Sequence, residues 1–301
     1  MSKVVVMGLV NRETTIKVPK LPVEHIPISY HFFGMESMVS GSGYNVSKAM
    51  RVLGDDVRFL TMTGNDDLGD IVEKQLERDG IPVKYLKKEL KTTPESVVFY
   101  DDYNKRQIFC DLKDSQEQEY DKKTFVEAAK GADLLYLGNV NFSRPLLQEA
   151  KKTGTLIATD VSAITSVEDE YNQEFMEAAD ILFVSDDFVD NPMDLLDKLK
   201  EKYDAQIIII GRGIKGAILY VKKEHFIGEF PSVKTRKVVN TLGAGDAMFS
   251  AFLHFYLKNK NPYLSIKNAI LFASYKIGTA GSANGFLSEK QIEQFFPLIW
   301  K

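Results

Sequence analysis

The chain has 301 residues, 44% of them hydrophobic and 27% charged, so it can bury a sizeable core as one large α/β unit or as a main domain with a small appendage. A formal net charge of −4 does not indicate a nucleic-acid-binding face, and one cysteine with four histidines excludes an internal disulfide and argues against a structural zinc site. The first residues lack a signal-peptide pattern and no apolar stretch is long enough to span a bilayer, so we expect a cytoplasmic protein.

Short apolar runs alternate with amphipathic segments along most of the chain. The runs are rich in β-branched residues, which is typical of strands buried on both faces. The predicted strands are Val4–Leu9, Val57–Met62, Leu134–Leu137, Leu156–Thr159, Ile181–Val184 and Ile207–Ile210. The predicted helices are Asp67–Arg78, Pro192–Tyr203, Ala244–Lys258, Ser265–Gly278 and Ser288–Phe296. This alternation predicts an α/β fold with a doubly wound, mostly parallel sheet flanked by helices.

Two segments, 13–38 and 83–112, depart from this rhythm because polar and apolar residues alternate along them. The second segment contains a hairpin pattern, Ser96–Asp101 and Arg106–Leu112, joined by Asp102–Lys105. Alternation of this kind indicates antiparallel strands with one solvated face. The two segments therefore predict a small sheet beside the main sheet.

The sequence Gly211-Arg212-Gly213-Ile214-Lys215-Gly216 follows a predicted strand and has the G-x-G-x-x-G spacing of a dinucleotide-binding turn. Such a turn leads into a helix, but Ala217–Val221 is a strand pattern. No acidic residue follows at the expected distance either. A strand–turn–strand corner is the favoured interpretation, and contact of this loop with a nucleotide stays open.

A second glycine-rich segment, Asn240–Asp246, precedes an apolar helix. The small residues Gly243, Ala244 and Gly245 allow a ligand to approach the backbone, and free N–H groups at a helix start bind anions. Asp246 would then lie beside the anion and accept the proton of an attacking hydroxyl. The alternative is an aspartate that only caps the helix.

A third segment, Ser40–Gly54, again places glycines before a helix. Gly41 and Gly43 open the approach to the helix start, and the Asn45 amide can both donate and accept hydrogen bonds. Alone, this segment would be a flexible turn. Next to Asp246 it would form a surface that recognises hydroxyl groups.

Together these segments resemble the ribokinase-like, or phosphofructokinase-B, family of carbohydrate kinases. Asn240–Asp246 is similar to the family's C-terminal signature, Asp-Thr-x-Gly-Ala-Gly-Asp, and Ser40–Gly54 to its N-terminal one, Gly-Gly-x-Gly-x-Asn. Gly64–Ile81 matches the stretch Gly-x-Asp-x-x-Gly…Gly-Val, and Val4–Glu13 resembles the first strand and its Gly-x-x-Asn-x-Asp ending. The resemblance runs from about residue 4 to about residue 290.

The resemblance implies a single kinase domain, 1–301, whose segments 13–38 and 83–112 form a β-sheet lid over the sugar. It makes Asp246 the catalytic base and the amides of Gly243, Ala244 and Gly245 the anion hole. The residues implied to bind substrate hydroxyls are Asn11, Glu13, Gly41 and Asn45. The residues implied to border ATP are Gly211, Gly213, Gly216, Ser274 and Gly285.

The resemblance also implies that Mg²⁺ accompanies ATP and that a monovalent cation often lies near the anion hole. Asn240 replaces the first aspartate of the signature, which removes a negative charge and argues against that monovalent cation. Glu13 stands where aspartate is usual. The family's Asn-x-x-Glu motif for Mg²⁺ and phosphate is absent after Ile181–Val184, where Asp186, Asp187 or Asp190 would substitute.

The predicted function is transfer of the γ-phosphoryl group of ATP to a hydroxyl of a small sugar or sugar-like metabolite. Two alternatives stay open: a nucleoside kinase of the same fold, and a non-catalytic sensor of sugar or nucleotide. The sequence predicts no nucleic-acid or membrane partner. Exposed lid edges make a homodimer through the lid a reasonable expectation.

Overall fold

The computed structural model describes residues 1–103 and 105–300, so Lys301 and Asn104, in the predicted turn Asp102–Lys105, lie outside the described residues. The strands are β1 (Lys3–Met7), β2 (Asn11–Lys17), β3 (Met35–Ser40), β4 (Asp56–Gly64), β5 (Leu86–Leu90), β6 (Glu95–Tyr100), β7 (Arg106–Asp111), β8 (Leu134–Leu137), β9 (Leu156–Ala163), β10 (Ile181–Ser185), β11 (Ile207–Gly211), β12 (Ala217–Val221) and β13 (Phe226–Phe230). The α-helices are α1 (Ser42–Leu53), α2 (Asp67–Arg78), α3 (Lys122–Ala129), α4 (Leu147–Lys152), α5 (Gln173–Ala178), α6 (Pro192–Lys202), α7 (Ala244–Asn259), α8 (Pro262–Lys276) and α9 (Glu289–Ile299). None of the described helices is both long and apolar enough to cross a membrane.

The main sheet, among the described residues, contains nine strands in the order β13-β12-β11-β10-β9-β8-β1-β4-β5. Its strands from β11 to β5 pair in parallel, and β12 and β13 extend one edge in antiparallel fashion. In a sheet of this type, ligands bind outside the carboxyl ends of the parallel strands. Those ends are therefore where the site is to be sought.

Helices cover both faces of the main sheet because alternate residues of each strand point to opposite sides. In β1, Val4 and Val6 pack in the core with α1, α2, α7, α8 and α9, whereas Val5 and Met7 pack in the core with α3, α4, α5 and α6. Both cores are built from fully buried aliphatic and aromatic side chains. The predicted α/β class with a mostly parallel, doubly wound sheet is confirmed.

The small sheet contains four of the described strands, in the order β3-β2-β6-β7. The β2–β3 and β6–β7 pairs are antiparallel, as predicted, but β2 pairs with β6 in parallel, because alternation of polar and apolar residues does not determine strand direction. The sheet draws its strands from residues 11–40 and 95–111. Residues 86–90, predicted to lie in the lid segment 83–112, instead form β5, which pairs with β4 at the edge of the main sheet. An edge strand is half-solvated, so it shows the same alternation as a strand of the small sheet.

The corner Gly211–Gly216 joins β11 to the antiparallel strand β12 through a short 3₁₀ turn. The strand–turn–strand interpretation is therefore confirmed over the dinucleotide-binding one. Gly216 has φ of 94°, and a Cβ there would lie 2.0 Å from the Phe230 carbonyl oxygen, so no other residue fits without moving the backbone.

The backbone of α1 lies in close contact with the residue that follows β1, and this contact fixes the position of the start of α1. A Cβ built on Gly43, in α1, would lie 2.5 Å from the carbonyl carbon of Gly8. We therefore expect Gly43→Ala to lower the free energy of unfolding by about 1–3 kcal/mol, because overpacking outweighs the roughly 1 kcal/mol that alanine gains in helix propensity. Urea denaturation measures the change.

The control for this substitution is Gly34→Ala, where the added Cβ would meet its nearest atom, His31 Cβ, at an ordinary 3.4 Å. We expect this variant to unfold at nearly the wild-type urea concentration. A Gly43→Ala variant as stable as Gly34→Ala would contradict the packing argument.

Candidate active site

Asp246 lies in the first turn of α7, directly after a sharp turn at Gly243. Gly243 has φ of 67°, and a Cβ there would lie 2.2 Å from the Ser282 carbonyl oxygen, so glycine is required both for its conformation and for its close contact. The turn aims the amino end of α7 at the carboxyl ends of the main sheet. A 16-residue helix begins there, and its dipole favours an anion at that end.

Several backbone N–H groups at this helix start are free to bind an anion. The Ala244 N–H donates to the Thr241 carbonyl oxygen at 3.2 Å. Among residues 1–103 and 105–300, no acceptor takes the N–H of Gly243, Gly245 or Asp246. These three donors and the weakly engaged Ala244 surround the Asp246 carboxylate with the groups that stabilise phosphate charge.

The Asp246 carboxylate accepts a hydrogen bond from the Asn45 side-chain amide, Nδ2 to Oδ2, at 2.7 Å. The two residues are 201 positions apart, so the contact joins the amino ends of α1 and α7. Burial raises the pKa of Asp246 to about 6, against the opposing effects of the Asn45 hydrogen bond and the Lys276 charge. A carboxylate with this pKa is ionised at neutral pH and still basic enough to take a proton.

The substrate-side residues named from the sequence form one connected network with Asp246. Glu13, which is buried, accepts from the Ser282 hydroxyl at 2.6 Å and from the Ser40 hydroxyl at 3.2 Å. The Ser40 hydroxyl also lies 3.4 Å from Asn45 Oδ1. A chain of polar contacts therefore runs from Ser282 through Glu13, Ser40 and Asn45 to Asp246.

Asn11 and Gly41 lie at the rim of this network. The Asn11 amide donates to the Ser96 hydroxyl at 3.0 Å, while its buried Oδ1 has no partner among the described residues. Gly41, the residue before α1, has φ of 104°, and a Cβ there would lie 2.6 Å from the Leu9 carbonyl oxygen. A side chain at position 41 would push apart the backbone segments that hold Asn11 and Asn45.

Arg106, on β7, joins the small sheet to the anion-hole segment and was missed in the sequence. Its guanidinium lies 3.2 Å from the Asp187 carboxylate and 3.4 Å from the Thr241 hydroxyl. Thr241 is 135 positions away from Arg106 in the sequence. The sequence around Arg106 shows only a strand with alternating polar and apolar residues, which does not reveal such a partner. The guanidinium is in a position to meet phosphate oxygens near the start of α7.

Asp160, in the carboxyl-terminal half of β9, is a second buried carboxyl group near Asp246 that the sequence did not single out. Burial, reinforced by the charge of Asp246, raises the pKa of Asp160 to about 7, and its Oδ1 accepts from the Ser162 N–H at 2.7 Å. Tyr136 lies close to both carboxyls, and its buried hydroxyl has no partner among the described residues. Asp160 therefore adds to the site a second carboxyl group that can carry a proton near neutral pH.

Two of the three acidic residues named for a metal, Asp186 and Asp187, lie beside arginines. Asp186 lies 3.7 Å from Arg212 Nε, and Asp187 pairs with Arg106. Asp190 follows in the same exposed loop. The described residues contain no group of three or more metal-ligating side chains close enough to hold an ion. These residues fit an Mg²⁺ ion held mainly by nucleotide phosphates, with Asp186 or Asp187 as a single protein ligand.

The residues named for ATP lie in three places: the β11–β12 corner, α8 and the loop between α8 and α9. Gly213, in the β11–β12 corner, has open space around it, as a ligand-facing loop requires. The Ser274 hydroxyl donates to the Val233 carbonyl oxygen at 2.5 Å, so it ties α8 to the loop after β13. Gly285 has φ of 79° and packs against Arg236, whose guanidinium stacks on the Tyr275 ring.

Comparison with known proteins places this geometry in a family. Residues 1–290 match the family described as pfkB family carbohydrate kinase. The chain is 23% identical over 270 residues to a nucleoside kinase of Methanocaldococcus jannaschii, covering 86% of this chain and 84% of the relative. It is 22% identical over 280 residues to a deoxyribokinase of Salmonella typhi, covering 86% and 87%.

Solved structures show the same fold. A microbiome-derived acarbose kinase, Mak1, superposes with a TM-score of 0.89 at 21% identity, over 98% of this chain and 99% of the other. The ribokinase of Thermotoga maritima superposes with a TM-score of 0.78 at 20% identity, over 99% and 100%. The ribokinase-like resemblance found in the sequence is thus confirmed. The chain belongs to the pfkB family of carbohydrate kinases and is a phosphotransferase that acts on a sugar hydroxyl.

Proposed function

We propose that this enzyme transfers the γ-phosphoryl group of MgATP to a hydroxyl of a small sugar, with Asp246 as the catalytic base. The observation that carries the proposal is the position of the Asp246 carboxylate, which lies among free amides at the start of α7 and is held by Asn45. This arrangement puts a proton acceptor beside an anion site. Phosphoryl transfer needs those two groups close together.

In the proposed reaction, Asp246 accepts the proton of the substrate hydroxyl as that oxygen forms a bond to the γ-phosphorus and the bond from phosphorus to the ADP oxygen breaks. The N–H groups of Gly243, Ala244, Gly245 and Asp246 stabilise the charge on the phosphoryl oxygens. Asp186 or Asp187 would be the protein ligand of an Mg²⁺ ion bound with ATP, and that ion would supply positive charge to the phosphates. The Arg106 guanidinium supplies a further positive charge at the same place.

Substrate hydroxyls would be bound by Asn11, Glu13, Asn45 and the backbone beside Gly41. The Asn11 Oδ1 supports this assignment, because a buried carbonyl oxygen without a partner accepts a hydroxyl without breaking another contact. Glu13 already accepts two protein hydroxyls and retains capacity for a further donor. The site therefore recognises a polyhydroxylated molecule mainly through acceptors.

The ATP base and ribose would lie between the β11–β12 corner, with Gly211, Gly213 and Gly216, and the loop that ends at Gly285. The open space at Gly213 and the stacked guanidinium of Arg236 support this position. Ser274 would act indirectly, since its hydroxyl holds Val233.

A nucleoside is the second candidate acceptor, because the Methanocaldococcus jannaschii relative is a nucleoside kinase. Of the aromatic residues on the strands of the small sheet, Tyr100 shares the side of Glu13, whereas Phe99 and Phe109 do not. Residues directly opposite each other share a face, so the Ser96–Cys110 pair lies on the side of Glu13, and Phe99 and Phe109 lie on the other side, edge to face with ring centroids 6.0 Å apart. These aromatic rings pack within the sheet and face away from the site.

The small sheet would act as the lid over the substrate and, through its edge, as the contact between two copies of this chain. β7 is an edge strand whose six residues are all exposed, and the apolar Ile108 and Phe109 are among them. An apolar edge of this kind favours association. A cytoplasmic location and the absence of a nucleic-acid partner stay predictions from the sequence.

If two copies pair through β7, Phe109→Lys should shift the protein from dimer to monomer, because it places a charge on the apolar edge. Light scattering over a range of protein concentrations measures the mass. Phe188→Lys, at an exposed aromatic outside the small sheet, is the matched control and should leave the mass unchanged. A wild-type protein that is monomeric at every concentration would refute the pairing.

We expect Asp246→Asn to lower kcat by about 1,000-fold or more while the protein still binds sugar, because the amide keeps the shape of the side chain but cannot accept a proton. ADP release from MgATP is measured over pentoses, hexoses, sugar phosphates, inositols and nucleosides. Asp67→Asn, an exposed aspartate in the first turn of α2, is the control and should retain full activity.

Two results would count against the assignment. Near-normal turnover in Asp246→Asn would remove this residue as the base. Calorimetric binding of sugar without any ADP release by the wild-type protein would favour the non-catalytic sensor over the enzyme.

The pH profile tests the proton acceptor itself. Since Asp246 works in its ionised form, kcat should fall as the pH drops through a pKa of about 6. Asn45→Ala removes a hydrogen bond that lowers this pKa, so the acidic limb of the profile should move to higher pH. A limb that stays in place or moves down in the variant would show that another group controls it.

A further inference from the structure

Lys276, the last residue of α8, is completely buried although it carries an ammonium group. Lysine is almost never fully buried without partners, because removing its charge from water costs several kcal/mol. Here the partners are two backbone carbonyls: Nζ donates to the Leu242 oxygen and, at 2.7 Å, to the Gly281 oxygen. The reaction proposed above makes no use of this group.

One of these carbonyls belongs to the turn that forms the anion hole, and the other belongs to the loop that packs against that turn. Leu242 lies in the turn before α7, and Gly281 lies in the loop after α8. The two loops touch at Gly243 and Ser282, where a Cβ on Gly243 would lie 2.2 Å from the Ser282 carbonyl oxygen. The Lys276 ammonium therefore fastens the two loops together beside their closest contact.

The contact with Leu242 also sets the direction of an anion-hole donor. The peptide unit between Leu242 and Gly243 is planar and trans, so its C=O and N–H point to opposite sides. When the ammonium holds the Leu242 oxygen, the Gly243 N–H points the other way, and it has no acceptor among the described residues. The same contact polarises the amide and makes its N–H a stronger donor.

Backbone carbonyls that converge on one point are the usual ligands of a monovalent metal ion in a protein. An ammonium group offers three N–H donors to the same oxygens. Asn240, which lies beside them, contributes a buried amide nitrogen without a partner among the described residues, where a metal ion would need an anion or an oxygen. A monovalent metal ion therefore does not fit at this position, because the Lys276 charge is already there.

The charges around Lys276 are consistent with an ionised amine. Asp246 on α7 and Glu13 on β2 favour the charged form, while burial and Arg106 on β7 oppose it. The net effect lowers the pKa of Lys276 to about 8, so the ammonium keeps its proton at neutral pH.

We propose that Lys276 is a positioning residue that acts as the built-in cation of the anion hole, in place of a bound monovalent metal ion, so that phosphoryl transfer by this enzyme does not depend on potassium or sodium. The inference rests on the phosphoryl transfer proposed above.

The direct test needs no variant. Turnover of the wild-type enzyme on its best acceptor is measured in potassium, sodium and tetramethylammonium chloride at equal ionic strength. We expect the same kcat and KM in all three salts, because tetramethylammonium cannot replace a bound ion. Selective activation by potassium or sodium would overturn the proposal.

A pair of variants tests the role of the charge. Lys276→Ala leaves space for an added cation, and Lys276→Met fills that space without a charge. In tetramethylammonium chloride both should lose about 100-fold in kcat, the usual loss when an oxyanion-hole donor is disturbed. Potassium, ammonium or methylammonium should restore activity to Lys276→Ala alone, and Lys267→Met, on the same helix, should behave as wild type.

Thermal unfolding gives a readout that does not depend on activity. The wild-type Tm should be equal in potassium and tetramethylammonium chloride, whereas potassium should raise the Tm of Lys276→Ala and leave that of Lys276→Met unchanged. If these Tm values are found but the wild-type protein is inactive on every acceptor, the proposed function fails and the role of Lys276 as the built-in cation is still supported. Wild-type kcat in Lys276→Met, or no response of Lys276→Ala to any cation, would refute the inference, and if neither variant folds the wild-type salt series decides.

Discussion

The hydrogen bond from Asn45 to Asp246 is the contact on which the site depends, because it joins two helices whose amino ends must meet. α1 and α7 lie on the same face of the main sheet, and each begins after a glycine of positive φ, Gly41 or Gly243. Each glycine lies so close to a neighbouring backbone that a side chain would separate the two. The position of one carboxylate is thus fixed by glycines far apart in the sequence.

Charge is the second constraint on this site. Asp246, Asp160 and Glu13 bring carboxyl groups into a region from which water is largely excluded, and their mutual repulsion would be costly if all were ionised without compensation. The raised pKa of Asp160 keeps part of that charge off the site. The Lys276 ammonium and the Arg106 guanidinium offset the rest. The same cations are well placed to tolerate the much larger charge of a nucleotide triphosphate.

Much of the main sheet could be predicted because its central strands are buried on both faces and leave continuous apolar runs, as in Ile207–Ile210. The helix Asp67–Arg78 was predicted with its observed bounds because one apolar face and a capping aspartate, Asp66, mark it. β5 was assigned to the wrong sheet, since a half-solvated edge strand has the same pattern in either one. α8 begins at Pro262, earlier than predicted, because proline is accepted in the first turn of a helix.

The site was predictable only where its residues form a local motif. Gly243–Asp246 is one continuous motif in the sequence and Gly41–Asn45 is another. The structure brings Asp246 and Asn45, one from each motif, into contact. Lys276 and Arg106 carry no such signal, because their meaning depends on carbonyls and carboxylates that only the folded chain brings near. Lys276 lies near the end of a predicted apolar helix, but the residues around it in the sequence do not distinguish it from a lysine at the surface.

The division of the site between the two ends of the chain has a consequence for synthesis on the ribosome. The residues proposed to bind substrate hydroxyls, from Asn11 to Asn45, emerge early, whereas the proposed base Asp246, the free amides at the start of α7 and Lys276 follow only after most of the main sheet has been made. Because Glu13 accepts from Ser282 and Asn45 donates to Asp246, the early residues also lack their partners until the carboxyl-terminal segment has been made. The order of these segments along the chain therefore delays assembly of the complete site until synthesis is nearly finished.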